Sequence, residues 1–215
     1  TNFVIKLFAV ALFAIIAPLA AFIIYGVSAG LPGWSLHQLI ILQGANLLTI
    51  GLTELLFGHM LWNLLWEIRD GYFDMSLVRP ASPLAFESAT GVKINRVAVI
   101  FVGAMLVLYG LVKSNSDVTL QTALLFASLV ALGMLFGYSL IVMTGAIALV
   151  AVKSESLYHL ITELYSFADY PISIFGPIGL TLFTFVFPIG LASFYPAQAL
   201  LGVLELKSVA ALVVV

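Results

Sequence analysis

The chain has 215 residues, of which 63% are hydrophobic and only 8% are charged, and its formal net charge is −2. Soluble domains carry about 25% charged residues, so this chain has too few charges to cover a surface that faces water. Its mean hydropathy of +1.19 predicts a polytopic membrane protein. Because the apolar runs are continuous rather than alternating, they favour helices over a membrane β-barrel.

Several function classes are excluded by what the composition lacks. The chain has no cysteine, which excludes a disulfide framework, a zinc thiolate site and a cysteine nucleophile. It has no block of basic residues of the kind that nucleic acid would require. The usual hydrolase, metalloprotease and phosphate-loop signatures are missing too. We therefore expect no catalytic residue, metal or cofactor in this chain.

The apolar runs, taken in chain order, predict six membrane-spanning helices, since a bilayer requires about 20 apolar residues per helix. They cover about 3–25, 36–60, 96–112, 119–152 and 174–195, and a sixth, 206–215, is cut short by the end of the chain. We predict an all-α polytopic membrane protein with one transmembrane domain, 1–215. The first run is long enough to span and lacks a signal-peptide cleavage site. The chain opens on Thr1 and stops inside an apolar run, so we expect it to be part of a longer protein.

Two stretches between these runs are polar. Residues 67–95 hold the largest group of charges, and residues 153–169 show the spacing of an amphipathic helix that lies at a surface. If the N-terminus is cytoplasmic, both stretches are cytoplasmic, and six of the eight basic residues lie on that side, as the positive-inside rule requires. These six are Lys6, Arg69, Arg79, Lys93, Arg96 and Lys153, against Lys113 and Lys207 outside.

One face of the second predicted span is polar. At 100° per residue, its five polar side chains fall within about 140° of arc: Gln43, Asn46, Thr49, Thr53 and Glu54. A carboxylate at mid-helix costs about 2.5–3.5 kcal/mol on insertion scales, so Glu54 should face protein or water. The face is therefore either one wall of a translocation path or a hydrogen-bonded seam between helices, with a protonated Glu54. Gly133, Gly137 and Gly145 predict close helix packing in the fourth run.

Two motifs carry a resemblance to a known family. After the second span, the pattern G-x-x-D-x-x-L-x-R-P-x-S-P is formed by Gly71, Asp74, Leu77, Arg79, Pro80, Ser82 and Pro83. The second motif joins Tyr170-Pro171, Phe183 to Pro188, and Tyr195-Pro196 to Gly202, and Gly33-Trp34-Ser35 precedes the second span. With these motifs the chain resembles the permease subunits of ABC-type exporters, in the six-span type-2 group linked to drug and antibiotic efflux.

The resemblance implies partners and roles. Such a permease lies in the cell membrane and pairs with a second permease, either a paralogue or an identical copy. It also binds two ATP-binding subunits, which hold the ATP and magnesium. The region 67–95 would be the coupling element seated on the ATPase, and its proposed contact residues are Arg69, Asp70, Gly71, Asp74, Arg79 and Pro80. Broken helices near Pro188 and Tyr195-Pro196 would form an outer cap, and the helix 155–168 would contact either the ATPase or lipid.

Two other functions are compatible with the residues alone. The first is a proton-coupled secondary transporter that uses Glu54 as its proton site, although no inverted repeat supports it. The second is an intramembrane enzyme, for which the sequence offers only Glu54 and the distant His59. The transported compound is expected to be apolar or amphipathic, because the spans offer mainly apolar surface.

Overall fold

A computed structural model describes residues 2–78, 82–89, 91–150, 163 and 165–204, which contain helices and turns and no β-strand. The helices are α1 (Asn2–Val27), α2 (Leu36–Asp70), α3 (Phe73–Leu77), α4 (Pro83–Ala89), α5 (Val97–Ser114), α6 (Leu120–Val150), α7 (Gly176–Thr181) and α8 (Phe194–Leu200). A 3₁₀ turn, Ile94–Arg96, leads into α5. The prediction of an all-α polytopic membrane protein is confirmed.

Four of the described helices, α1, α2, α6 and α5 with its leading turn, are long and apolar enough to cross a membrane. A fifth crossing would need two pieces, Ile172–Val186 and Ile189–Leu200, which meet at an angle of 81°. The sequence predicts a fifth span, 174–195, broken at Pro177 and Pro188, and in the structure the break between the two pieces lies at Pro188. Pro188 has no N–H to donate, and the turn before it widens to a π-helix, Leu182–Val186. The predicted sixth span, 206–215, lies outside the described residues.

Helix α2 is the central element and is ten residues longer than predicted. It begins at a capping box, in which the backbone N–H of Gln38 donates to Ser35 Oγ and that of Ser35 donates to Gln38 Oε1. It ends only at Gly71, whose φ of 77° lies in the left-handed region that favours glycine. The charged residues from Glu67 to Asp70, predicted to lie in a loop, therefore form its last turn.

Glycines bring α2 close to α5 and α6. A Cβ at Gly103 of α5 would lie 2.9 Å from the carbonyl oxygen of Gly44, so the two backbones are in direct contact. On the other side, a Cβ at Gly137 of α6 would lie 2.8 Å from Thr53 Cγ2. The predicted packing role of the α6 glycines, Gly133, Gly137 and Gly145, is confirmed, because each meets α2 or its neighbours.

We call the end of the bundle where α2 begins the upper end and the end where α2 finishes the lower end. At the upper end the bent segment 172–200 covers α2: Trp34 Nε1 donates to Ser173 Oγ at 3.2 Å, and Thr49 Oγ1 donates to the carbonyl of Ala192 at 2.8 Å. Phe194 packs on the ring of Trp34. The cap suggested by the family resemblance therefore has a counterpart in this chain.

At the lower end, the connection from α2 to α5 is fastened to the bundle. The backbone N–H of Lys93 donates to the carbonyl of Leu55 at 2.9 Å, and Ser88 Oγ lies 3.1 Å from Tyr138 Oη of α6. Ser82 Oγ accepts from the N–H of Ala85 and so caps α4. The region predicted as a coupling element therefore contains two short helices. Arg79 and Pro80 lie outside the described residues.

The end of the predicted amphipathic helix packs one face on the bundle. Ala168 has no exposed surface, and Asp169 is hydrogen-bonded to Asn46 of α2. Glu163, Ser166 and Phe167 are exposed, so this end has the two faces predicted for 153–169, while residues 151–162 and 164 lie outside the described residues. Apolar spacing cannot tell whether a helix packs on lipid or on protein, and the glycines of α6 leave room for protein here.

Candidate functional site

A cavity of about 280 Å³ lies between α2, α6 and the segment 165–169. Along α2 it extends from Asn46 to Trp62, which is about 24 Å at about 1.5 Å rise per residue. Its polar groups lie in two separate places, one near Asn46 and one near Glu54. The wall between and around them is apolar and includes Leu47, Ile50, Leu140 and Ile141.

The predicted polar face of α2 divides between cavity and seam. Asn46, Thr53 and Glu54 line the cavity. Gln43 and Thr49 do not: Gln43 Nε2 donates to the carbonyls of Ala17 and Asp169 at 3.4 Å each, and Thr49 is bound to the upper segment as described above. Each of the two interpretations of this face therefore holds for part of it.

The upper polar group is formed by Asn46 and Asp169, and the hydroxyl of Tyr165 lies near Gly137 of α6. Asn46 Nδ2 donates to Asp169 Oδ1 at 2.8 Å. Burial raises the pKa of the Asp169 carboxyl, and the hydrogen bond from Asn46 opposes this only in part. Burial also raises the pKa of the Tyr165 hydroxyl. This end of the cavity therefore holds an acidic group that has lost most of its contact with water.

The lower polar group is charged. Glu54 Oε2 forms an ion pair with Nε of Arg96, and the two side chains are 25% and 29% exposed. Lys93 also lines the cavity here. Its pKa is lowered by burial, and although the Glu54 carboxylate acts to raise it, nearby Arg96 lowers it further. Glu54 is thus neutralised by basic side chains from the α4–α5 connection.

Of the residues predicted to couple to an ATPase, Arg69, Asp70, Gly71 and Asp74 are described, and they lie at the lower end. Arg69 Nε is 3.4 Å from Asp70 Oδ1, and the guanidinium lies over the ring of Trp66. Asp74 is exposed in the first turn of α3. Tyr72, Met75, Leu77 and Val78 are all more than half exposed around it. The structure brings these charges together on one surface that also contains apolar side chains.

Comparison with family models assigns the chain. The model described as "ABC-2 family transporter protein" matches residues 9–215. The chain belongs to the ABC-2 transporter family. The resemblance found in its motifs is confirmed at the level of an ABC-2-type permease. Searches of curated proteins and of solved structures each gave no significant match.

In this ABC-2 permease, sequence reasoning missed five of the cavity's eight polar or charged residues, namely Lys93, Thr144, Tyr165, Ser166 and Asp169. Tyr165 and Asp169 were assigned to a surface helix, and Lys93 and Arg96 were used only to orient the chain. One signal for Asp169 was available, since it is an isolated acid immediately before the Tyr170-Pro171 motif. Among the described residues, no group of three or more His, Asp or Glu side chains could hold a metal ion.

Proposed function

We propose that this ABC-2 permease is the membrane subunit of an ATP-driven exporter that moves an apolar or amphipathic compound out of the cytoplasm. The observation that carries the proposal is the direct link between the lower surface and the cavity. The connection that leaves α3 and α4 contributes Lys93 to the cavity wall and Arg96 to the ion pair with Glu54. A displacement of the lower surface would therefore reach the cavity lining directly.

In this mechanism the lower surface lies in the cytoplasm, together with the N-terminus, and the upper end faces outward across the cell membrane. A separate ATP-binding subunit holds ATP and magnesium and docks below α2, against Arg69, Asp70, Gly71 and Asp74, with Arg79 and Pro80 in the same contact. A second permease, identical or paralogous, completes the path, and lipid surrounds both. The exposed apolar side chains of α1 suit contact with lipid.

Short helices suit the transmission of force. An element that is capped and hydrogen-bonded at both ends moves as a rigid body, whereas a free loop absorbs displacement. Here α2 ends at Gly71, α4 begins at the Ser82 cap, and the connection is bound to Leu55 through Lys93. Closure of the ATPase would then move α3 and α4 against α2, with the cavity directly above them.

The contacts of Glu54 give it a structural role that either transport mechanism could keep. Glu54 is paired with Arg96 and lies near Lys93, so its carboxylate has two basic neighbours. The ion pair joins α2 to the turn that leads into α5. The alternative of a proton-coupled transporter, with Glu54 as its proton site, predicts transport without any ATPase.

The test separates coupling from folding. The permease is purified from its native membranes with its associated ATPase and reconstituted into vesicles, and ATP hydrolysis and export are measured together. Asp74→Ala should leave hydrolysis but reduce export about tenfold or more. Asp117→Ala, which removes an exposed acid at the upper end, is the matched control and should change neither. If the permease transports without any nucleotide-hydrolysing partner, the proposal is wrong.

A further inference from the structure

Three residues that carry hydrogen-bond acceptors line the cavity: Asn46, Tyr165 and Asp169. Asn46 is only 2% exposed, and its Nδ2 is used by Asp169, so its Oδ1 is left over. Within the described part of the chain, Asn46 Oδ1 and the Tyr165 hydroxyl have no hydrogen-bond partner. Both residues line the cavity, as does Asp169. A buried polar atom without a partner is costly, and such atoms in a cavity wall point to a ligand that would satisfy them.

The carboxyl group of Asp169 lies in the same place and is negatively charged when it is ionised. No Lys, Arg or His among the described residues forms an ion pair with Asp169, and burial raises the pKa of its carboxyl. A reversed amide at Asn46 would turn its oxygen toward the carboxylate, so the amide orientation is fixed by Asp169. A positively charged donor bound here would replace the water that the carboxylate has lost.

The rest of the cavity restricts what such a ligand can be. Toward the lower end its wall is apolar, with Leu47, Ile50 and Leu140. Glu54 lies eight residues further along α2 than Asn46, or about 12 Å at 1.5 Å per residue. There the pair of Glu54 and Arg96 is neutral and Lys93 adds a positive charge. A second cation on the ligand would meet Lys93, so one cationic end on an apolar body fits best.

We propose that Asn46, Tyr165 and Asp169 bind the protonated amine of an amphipathic monocation, so that the exporter proposed above acts on hydrophobic primary amines. An ammonium group has three N–H donors. Asn46 and Asp169, which are hydrogen-bonded to each other, offer it Oδ1 of the amide and the carboxylate, and Tyr165 lines the same cavity. A quaternary ammonium carries the same charge without donors, and an amide keeps a donor without the charge. The substrate class rests on the proposed function, whereas the binding site itself does not.

The experiment measures equilibrium binding to the purified permease in lipid nanodiscs without any ATPase. The probe is dansylcadaverine, a fluorescent primary amine with one positive charge, compared with its N-acetylated and N-trimethylated forms. Empty nanodiscs measure partition into lipid. The unaltered protein should bind the amine saturably and bind each of the other two forms at least about tenfold more weakly. Equal affinity for the three probes would overturn the proposal without requiring any variant.

Variants locate the site. Asp169→Asn preserves shape and should weaken amine binding about 10- to 100-fold, since hydrogen bonds to charged groups are worth that much. Tyr165→Phe should weaken it about two- to tenfold. Glu163→Gln, an exposed acid six residues earlier, is the matched control and should bind normally. If Asp169→Asn and Glu163→Gln bind alike while both elute as folded protein, the assignment is wrong.

Failure of the site can be distinguished from failure of the exporter. If the amine binds through Asp169 but ATP does not drive its export in the reconstituted complex, the proposed function fails and the binding site stands. The opposite result has two parts: ATP drives the export of neutral compounds by both proteins, and Asp169→Asn binds amines as well as the unaltered protein does. In that case the exporter stands and the amine site fails.

Discussion

The two halves of α2 carry polar residues on the same face but use them differently. In the upper half, from Leu39 to Ala45, side chains are almost fully buried. The amide of Gln43 donates to the backbone of Asp169, and the hydroxyl of Thr49 donates to Ala192 of the covering segment. In the lower half, Trp62 and Trp66 are 42% and 60% exposed, and the polar group is an ion pair. The upper half is a seam, and the lower half is one side of an opening.

This difference indicates where movement is least costly. Neutral hydrogen bonds buried among packed helices hold one geometry, because any shift leaves polar atoms without partners. Partly exposed charges can separate and be solvated again at smaller cost. Helix α2 is thus anchored at its upper half, and the lower half can respond to forces applied at its end.

The largest effect is expected from breaking the ion pair. Glu54→Gln would leave Arg96 and Lys93 as neighbouring positive charges, and we expect unfolding to become easier by about 2–3 kcal/mol, less than for a fully buried pair because both partners are about a quarter exposed. The measurement is the free energy of unfolding in mixed SDS micelles. The double variant with Arg96→Gln should recover part of the loss. If the two single losses simply add, the pair does not stabilise the fold.

The contact between α2 and α5 gives the next effect. Gly103→Ala would place a Cβ 2.9 Å from the carbonyl of Gly44 and should destabilise the protein by about 1–2 kcal/mol. Gly26→Ala, where the new Cβ meets nothing within 4 Å, should be neutral or stabilising, since alanine is the better helix former. Opposite signs for the two variants in thermal unfolding support the close approach, and equal effects contradict it.

A smaller effect is expected from the seam itself. Thr49→Val keeps the side-chain shape but removes the hydroxyl that donates to Ala192, which should cost about 0.6–1 kcal/mol. In Thr181→Val the lost hydroxyl bonds only to Pro177 in its own exposed helix, so we expect a smaller loss. Thermal melting of the two variants under one condition makes the comparison. A larger loss for the position 181 variant would show that Thr49 does not hold the seam.

The smallest effect is expected in the way that the stability of the folded protein changes with pH. Burial raises the pKa of Asp169 in the folded protein, so the folded state binds its proton more tightly than the unfolded state does. The contribution of this group to stability is then fullest below its unfolded pKa of about 3.9 and is lost as pH rises through the folded value. Asp169→Asn should remove that loss. Melting temperatures of both proteins between pH 4 and pH 8 should diverge toward high pH, and parallel curves would contradict the assignment.

The sequence predicted the helical class and the polar face of α2 because both depend on local pattern, namely continuous apolar runs and a period of 3.6 residues. It missed the length of α2, since polarity near Glu67 was taken as the end of the helix although residues 61–70 contain no glycine or proline. It also missed the pairing of Glu54 with Arg96, which depends on how two distant helices meet. Gly44 and Gly51 are seven residues apart, as are Gly103 and Gly110, and this shared spacing could have predicted the close contact between α2 and α5.

The 81° bend between Val186 and Ile189 has a consequence for solvation. Where a helix breaks within a bilayer, its last carbonyls and first amides have no water to turn to. In this chain one such group, the carbonyl of Ala192, accepts a hydrogen bond from the hydroxyl of Thr49. The bent segment therefore takes one backbone hydrogen bond from α2, beside those it makes within itself, and an isolated peptide of residues 172–200 would lack that bond in lipid.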